Sequence, residues 1–271
     1  MRKGWQIIHA GIFTPGGDDS MVDAPNLLRQ ALGDVSDVDS VTVPFHRHAA
    51  QPRAAYDACV SLHDAVGRAL VGGQRPLVLG GECCLVAGTL SAAADRFADL
   101  RLIYLDAHGD FNTPATSPSG YLSGMCLAHA CGDFCPDLPW LRSVPFSGER
   151  AFLLGGRSLD PGEEMNIARR GVRIVDETMT IPCAPATPVW IHVDLDILTP
   201  SEMFAVSHPV VGGITFETLT EWLSKTANVF DVRGIAVCGY QPAKDPARTL
   251  PSRIAKSLGP VLHAVRTGRS S

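Results

Sequence analysis

Short runs of apolar residues recur along the chain and alternate with stretches whose apolar positions repeat at helical spacing. The runs lie at Trp5 to His9, Ser40 to Val43, Pro76 to Leu79, Arg101 to Leu105, Ala151 to Gly155, Val172 to Val175, Val189 to Val193 and Gly234 to Cys238, which predicts eight strands. Several are apolar almost throughout, among them Leu102-Ile103-Tyr104-Leu105, as expected of a parallel strand covered on both faces. Amphipathic stretches at Ala54 to Leu70, Leu85 to Phe97, Gly162 to Arg170 and Phe216 to Thr226 predict helices. This alternation predicts an α/β fold with a doubly wound sheet. No repeat, linker or charge run divides residues 1–271, so one domain is expected, and the Pro-rich stretches 113–118 and 182–188 read as loops within it.

A chain of 271 residues with 45% hydrophobic and 19% charged residues can bury a large core and is neither disordered nor of low complexity. A net charge of -5 without any Lys or Arg block offers no footprint for nucleic acid or anionic lipid. No apolar stretch approaches the length of a membrane span, and the opening residues, broken by His9, do not read as a signal peptide. The eight cysteines are too sparse for a secreted disulfide scaffold, and a cytoplasmic location is expected. Cys126, Cys131 and Cys135 match no common metal-binding pair and read as helix packing.

Ligands of an open parallel sheet bind beyond the carboxyl ends of its strands. There the sequence is strongly acidic: Asp106-Ala107-His108-Gly109-Asp110 follows one run, and Asp194-Leu195-Asp196 follows another. Alternate residues of an extended chain share a side, so each set can aim its ligands at one spot. Four carboxylates gathered in one crevice cannot all stay ionised without cations. Oxygen donors with one imidazole nitrogen suit Mn-like divalent ions, and two ions sharing carboxylates and a water would acidify that water into a hydroxide. The chemistry implied is hydrolysis at an unactivated carbon centre.

These motifs resemble the ureohydrolase superfamily of arginase, agmatinase and formimidoylglutamase. Residues 106–110 resemble its D-A-H-x-D, residues 194–196 its D-x-D, and Gly80-Gly81-Glu82-Cys83-Cys84 its G-G-D-H-S; Asn112-Thr113-Pro114, Ser117-Pro118-Ser119-Gly120 and residues 209–215 are similar at matching spacing. The resemblance implies a three-layer α/β/α fold around an eight-stranded, mainly parallel sheet, two Mn2+ ions and a homo-oligomer. It assigns one metal to Asp106, Asp110 and Asp194 and the other to Asp106, His108, Asp194 and Asp196, with Asp106 and Asp194 bridging. Asp110 would also act catalytically, by hydrogen bonding the hydroxide. Asn112, Ser119, Asp160 and Glu163 match positions around a substrate's α-amino and α-carboxylate groups, which implies a small amino-acid substrate.

Three departures redirect the expected substrate. The family's metal-binding His is Cys83, which is either a thiolate ligand of the first metal or a small buried residue beside a weakened site. The proton-shuttling His is Ser123, a poor acid, which leaves His208 as an alternative catalytic proton source. The Glu that pairs with the guanidinium is Gly239, and restoring it by Gly239→Glu is expected to improve arginine binding. A less basic N-hydroxyguanidine needs no such partner, so the resemblance points to the hydroxyarginine-hydrolysing branch associated with cycloserine biosynthesis. Another guanidino or formimino hydrolase, a catalytically silent amino-acid-binding relative and, more distantly, a zinc deacetylase of related fold are the alternatives.

Overall fold

The computed structural model describes residues 4–33, 40–45, 52–175 and 180–266. Its centre is a sheet of eight strands: β1 (Trp5–Ala10), β2 (Ser40–Thr42), β3 (Arg75–Gly80), β4 (Arg101–His108), β5 (Ala151–Ser158), β6 (Arg173–Val175), β7 (Pro188–Asp194) and β8 (Asp231–Cys238). The spatial order is β2-β1-β3-β8-β7-β4-β5-β6. Every pairing is parallel, including both edges. All eight expected strands are present, in a sheet that is wholly rather than mainly parallel.

Among the described residues, seven helices cover the two faces: α1 (Ala24–Leu32), α2 (Pro52–Val71), α3 (Val86–Arg96), α4 (Cys126–Ala130), α5 (Glu163–Arg170), α6 (Phe216–Val229) and α7 (Leu250–Arg266). The side-chain period of two divides each strand between two apolar layers. Ile8, Val78, Leu102, Tyr104, Leu153, Trp190 and Ala236 pack with residues of α2, α3 and α4. Ile7, Leu77, Leu79, Ile103, Leu105, Phe152, Ile191 and Val237 pack with α1, α6 and α7. Two buried faces per strand explain the near-continuous apolar runs. No helix among the described residues is long and apolar enough to cross a membrane. All eight cysteines are free thiols, and Cys126, Cys131 and Cys135 lie in the core as packing residues.

Because all strands are parallel, their carboxyl ends open on one edge of the sheet. The chain runs outward through β4, β5 and β6 and returns to insert β7 and β8 between β4 and β3. The ends of β3, β8, β7 and β4 therefore stand side by side, and the chemistry gathers there.

Candidate active site

The turn after β3 is shaped by Gly81, where a Cβ would lie 2.2 Å from the Ile12 carbonyl oxygen. This close approach of the β1 and β3 ends delivers Glu82 and Cys83 to the cavity. From β4, the buried Asp106 and the partly exposed His108 line it, and the chain then turns at Asp110 with φ +49, a conformation that Asp tolerates better than most residues. Asp194 closes β7, and its Oδ1 accepts the Asp196 amide at 2.8 Å, which fixes both carboxylates in one turn. Asp196 in turn accepts the Ala107 amide at 2.9 Å, stitching the β7 end to the β4 end.

These side chains line a cavity of about 560 Å³, within the range of small-molecule sites. Two donor triplets form in it, Cys83 with Asp106 and Asp194, and Asp106 with His108 and Asp196, their ligand atoms within 4.8 Å of one another. Asp106 belongs to both. Cys83 Sγ donates to Asp194 Oδ2 at 2.8 Å and lies 3.7 Å from Asp106 Oδ2. His108 Nδ1 lies 2.8 Å from Asp196 Oδ2 and 3.4 Å from Asp106 Oδ1. Asp110 lines the same cavity but falls outside both triplets, because its Oδ2 accepts the Tyr104 hydroxyl at 2.5 Å.

Burial, then the mutual repulsion of the carboxylates, raises Asp106 and Asp194 well above the usual carboxylate range. Burial also raises Asp110 to about 6, against the opposing hydrogen bond from Tyr104. For His108, burial favours the neutral ring, but the hydrogen bond and charge of Asp196 outweigh it and raise the pKa to about 9. Either bound protons or a divalent cation would relieve the repulsion among these carboxylates.

The four residues expected around a substrate's amino-acid end also line the cavity. Asn112 donates to Asp160 Oδ2 at 2.8 Å, and Glu163 accepts the amides of Phe111 at 2.9 Å and Asp160 at 2.6 Å. Ser119 accepts the Tyr121 amide at 3.2 Å. His208 is exposed at the rim, its ring 6.1 Å from that of His108 and 5.6 Å from that of Tyr121. Partial burial and then the charge of His108 lower its pKa.

A model described as the arginase family matches residues 19–259. The chain belongs to the arginase family. It is similar to the arginase of Bacillus caldovelox, at 36% identity over 180 residues covering 60% of this chain and 60% of that enzyme. It is also similar to the N(omega)-hydroxy-L-arginine amidinohydrolase of Streptomyces lavendulae, at 32% identity over 154 residues covering 55% of each. The chain thus spans between half and two-thirds of the length of these curated relatives. Its fold matches the solved structure of the Bacillus caldovelox arginase with a TM-score of 0.83 and 26% identity, over 96% of this chain and 98% of that one.

Within this family framework, two positions behave differently from the sequence expectation. Gly239 has φ +89, and a Cβ there would lie 2.4 Å from Asp194 Oδ1. Gly239→Glu therefore cannot restore a guanidinium partner on this backbone; it displaces Asp194. The variant is expected to lose metal binding instead of gaining arginine affinity, which metal analysis of the purified protein checks. Ser123 is not free either, since its hydroxyl donates to Glu82 Oε2 at 2.8 Å, an oxygen that also accepts the Thr14 amide and hydroxyl. Burial raises the Glu82 carboxyl.

Four polar residues at the site escaped the sequence reading as site groups: Glu82, Tyr104, His192 and Cys238. Tyr104 and His192 lie two positions before Asp106 and Asp194 in their strands, so the alternation that placed the aspartates also marks them.

The raised values fix a pH dependence. A group titrating higher in the folded protein contributes stability that is complete below its unfolded pKa and lost as pH rises through its folded pKa. For Asp110 the window runs from about 4 to about 6, and for His108 from about 6.5 to about 9. The Tm of the metal-free protein should therefore fall from pH 5 to pH 9. Divalent ions compete with those protons, so the rise in Tm on adding Mn2+ should grow over the same range, as thermal denaturation with and without metal would show.

Proposed function

We propose that residues 1–271 form a single-domain, two-metal amidinohydrolase acting on an arginine-like amino acid, and that its substrate is Nω-hydroxyarginine. Water adds to the guanidino carbon, the bond from that carbon to Nδ breaks, and Nδ leaves with an added proton, giving hydroxyurea and ornithine. The observation that carries the substrate choice is Gly239. At its φ of +89 a Cβ would meet Asp194 Oδ1 at 2.4 Å, so this backbone leaves no room for a carboxylate side chain at the position where the family pairs the guanidinium. The buried Glu82 carboxyl does not fill that role, because Thr14 and Ser123 hold its Oε2 and burial favours its neutral form.

The donor set fits two divalent cations, for the chemistry of the triplets is that of hard oxygen ligands with one nitrogen and one sulfur. Cys83, Asp106, Asp110 and Asp194 would hold one ion, and Asp106, His108, Asp194 and Asp196 the other. Mn2+ or a similar pair would supply the charge that lets water lose a proton near neutral pH. Asp110, aimed by Tyr104, would orient the attacking water and take up its proton. Asn112, Ser119, Asp160 and Glu163 would bind the α-amino and α-carboxylate groups and align the guanidino carbon with that water. His208, whose ring faces the cavity beside Tyr121, would return the proton to the leaving nitrogen.

Two measurements follow from this assignment. Cys83→Ser should weaken the first site by at least about ten-fold, whereas the buried neighbour Cys84→Ser should leave metal content near wild type. Cys83→His should restore a hard, family-like site. Metal titration of the three variants distinguishes these outcomes. For the activity itself, Mn-loaded protein is to be offered arginine, Nω-hydroxyarginine, agmatine and formimidoylglutamate separately, with products identified by mass spectrometry. Hydroxyurea and ornithine are expected. Products from agmatine or formimidoylglutamate alone would move the chain to another branch of the family.

A further inference from the structure

Behind the Cys83 donor lies a second group of metal-binding atoms that the family pattern does not include. Cys238 Sγ, at the end of β8, is 3.4 Å from Cys83 Sγ and 3.3 Å from His192 Nε2. It is also 3.8 Å from Asp194 Oδ2, the oxygen that Cys83 contacts at 2.8 Å. Cys83, His192 and Cys238 form a compact triplet in their own right.

His192 is the independent sign that this group has a purpose. It interrupts the apolar strand β7, is fully buried, and its Nδ1 has no hydrogen-bond partner. Its ring stacks on Tyr104 at 4.2 Å and 9°, which aims Nε2 at Cys238. Nε2, the nitrogen that faces the cluster, meets the Cys238 thiol, and Nδ1 has no partner among the described residues, so hydrogen bonding does not account for this buried imidazole, and packing alone is served better by Val or Ile.

We propose that Cys83, Cys238 and His192 form a site for a thiophilic divalent cation of the Zn2+ type. Cys238 Sγ lies 3.4 Å from Cys83 Sγ and 3.3 Å from His192 Nε2, and the three ligand atoms lie within 4.8 Å of one another, spacings that one cation bonded at about 2.0–2.3 Å to nitrogen and thiolate sulfur spans with little adjustment. Two thiolates with an imidazole select Zn2+ over Mn2+, which favours oxygen donors. Cys83 and Asp194 line the cavity, so the ion has a route in from the substrate side. Three protein ligands leave its fourth position open toward Asp194 and the cavity, and an ion held here withdraws Cys83 from the first site and leaves the carboxylates and His108 to the hard cations. The inference refines the metal content of the proposed function and rests on that reading only in placing ions in this cavity.

The decisive experiment is zinc-edge X-ray absorption on the full chain stripped of metal and reloaded with one equivalent of Zn2+, together with optical spectra of the Co2+-loaded protein. Two sulfur scatterers near 2.3 Å are expected, with a thiolate-to-cobalt charge-transfer band that is lost in Cys238→Ser and retained in Cys84→Ser. Fewer than two sulfurs, no bound zinc, or a band unchanged in Cys238→Ser would overturn the proposal. None of these readouts uses turnover, so a failure to hydrolyse hydroxyarginine leaves the test of this site intact.

Discussion

Replacing Asp106 or Asp194 by Ala is expected to abolish both turnover and binding of the metal pair, with activity falling to the limit of detection. Each carboxylate stands where two donor groups meet: Asp106 belongs to both hard triplets, and Asp194 contacts Cys83 through one oxygen and the Asp196 amide through the other. Removing either takes a ligand from the metals and releases the turn that aims its neighbours. Deleting carboxylates should not unfold the metal-free protein, because burial and mutual repulsion already disfavour their charged forms. The variants should therefore be folded and metal-poor. Metal analysis and circular dichroism on the same samples check this, and full activity in demonstrably metal-free wild type would remove the basis of the account.

Nω-hydroxyarginine should be hydrolysed with a catalytic efficiency far above that of arginine. Arginine must enter with its guanidinium protonated, and little in the cavity offers it a charged partner: position 239 is a glycine, where a Cβ would meet Asp194, and burial favours the neutral form of Glu82, whose Oε2 is held by Thr14 and Ser123. A buried cation without a partner is strongly disfavoured, whereas the hydroxyguanidine is the weaker base and can bind neutral. Discrimination by unpaired polar groups reaches about 10⁴ in efficiency, against about 10 to 200 for shape alone. A preference above the shape-only range is expected. Steady-state kinetics should place most of it in KM, since the loss is one of binding and orientation.

The strands were legible because a parallel sheet covered on both faces writes itself as apolar runs, and the two acidic motifs were legible because they follow such runs directly. The helices α1 and α7 were harder to see. Pro25 stands in the first turn of α1, where proline is tolerated, and Pro260 lies inside α7, where the sequence suggests a break. His192 and Cys238 were hidden inside apolar runs, and only the order β8-β7 brings them together. Gly239 was legible as a missing carboxylate but not as a steric barrier, because its positive φ and the clash that a Cβ there would make with Asp194 arise from the meeting of two strand ends. Ser123 was legible as a lost histidine, whereas its bond to Glu82 depends on the fold.

The most direct test of the central claim is an internal competition. Mn-loaded wild-type protein is given equimolar arginine and Nω-hydroxyarginine, and urea and hydroxyurea are quantified together by mass spectrometry early in the reaction, when their ratio equals the ratio of the two kcat/KM values. The account predicts hydroxyurea in excess by more than about 200-fold, beyond what shape selection alone gives. Urea equal to or exceeding hydroxyurea would contradict it and make the chain an ordinary arginase.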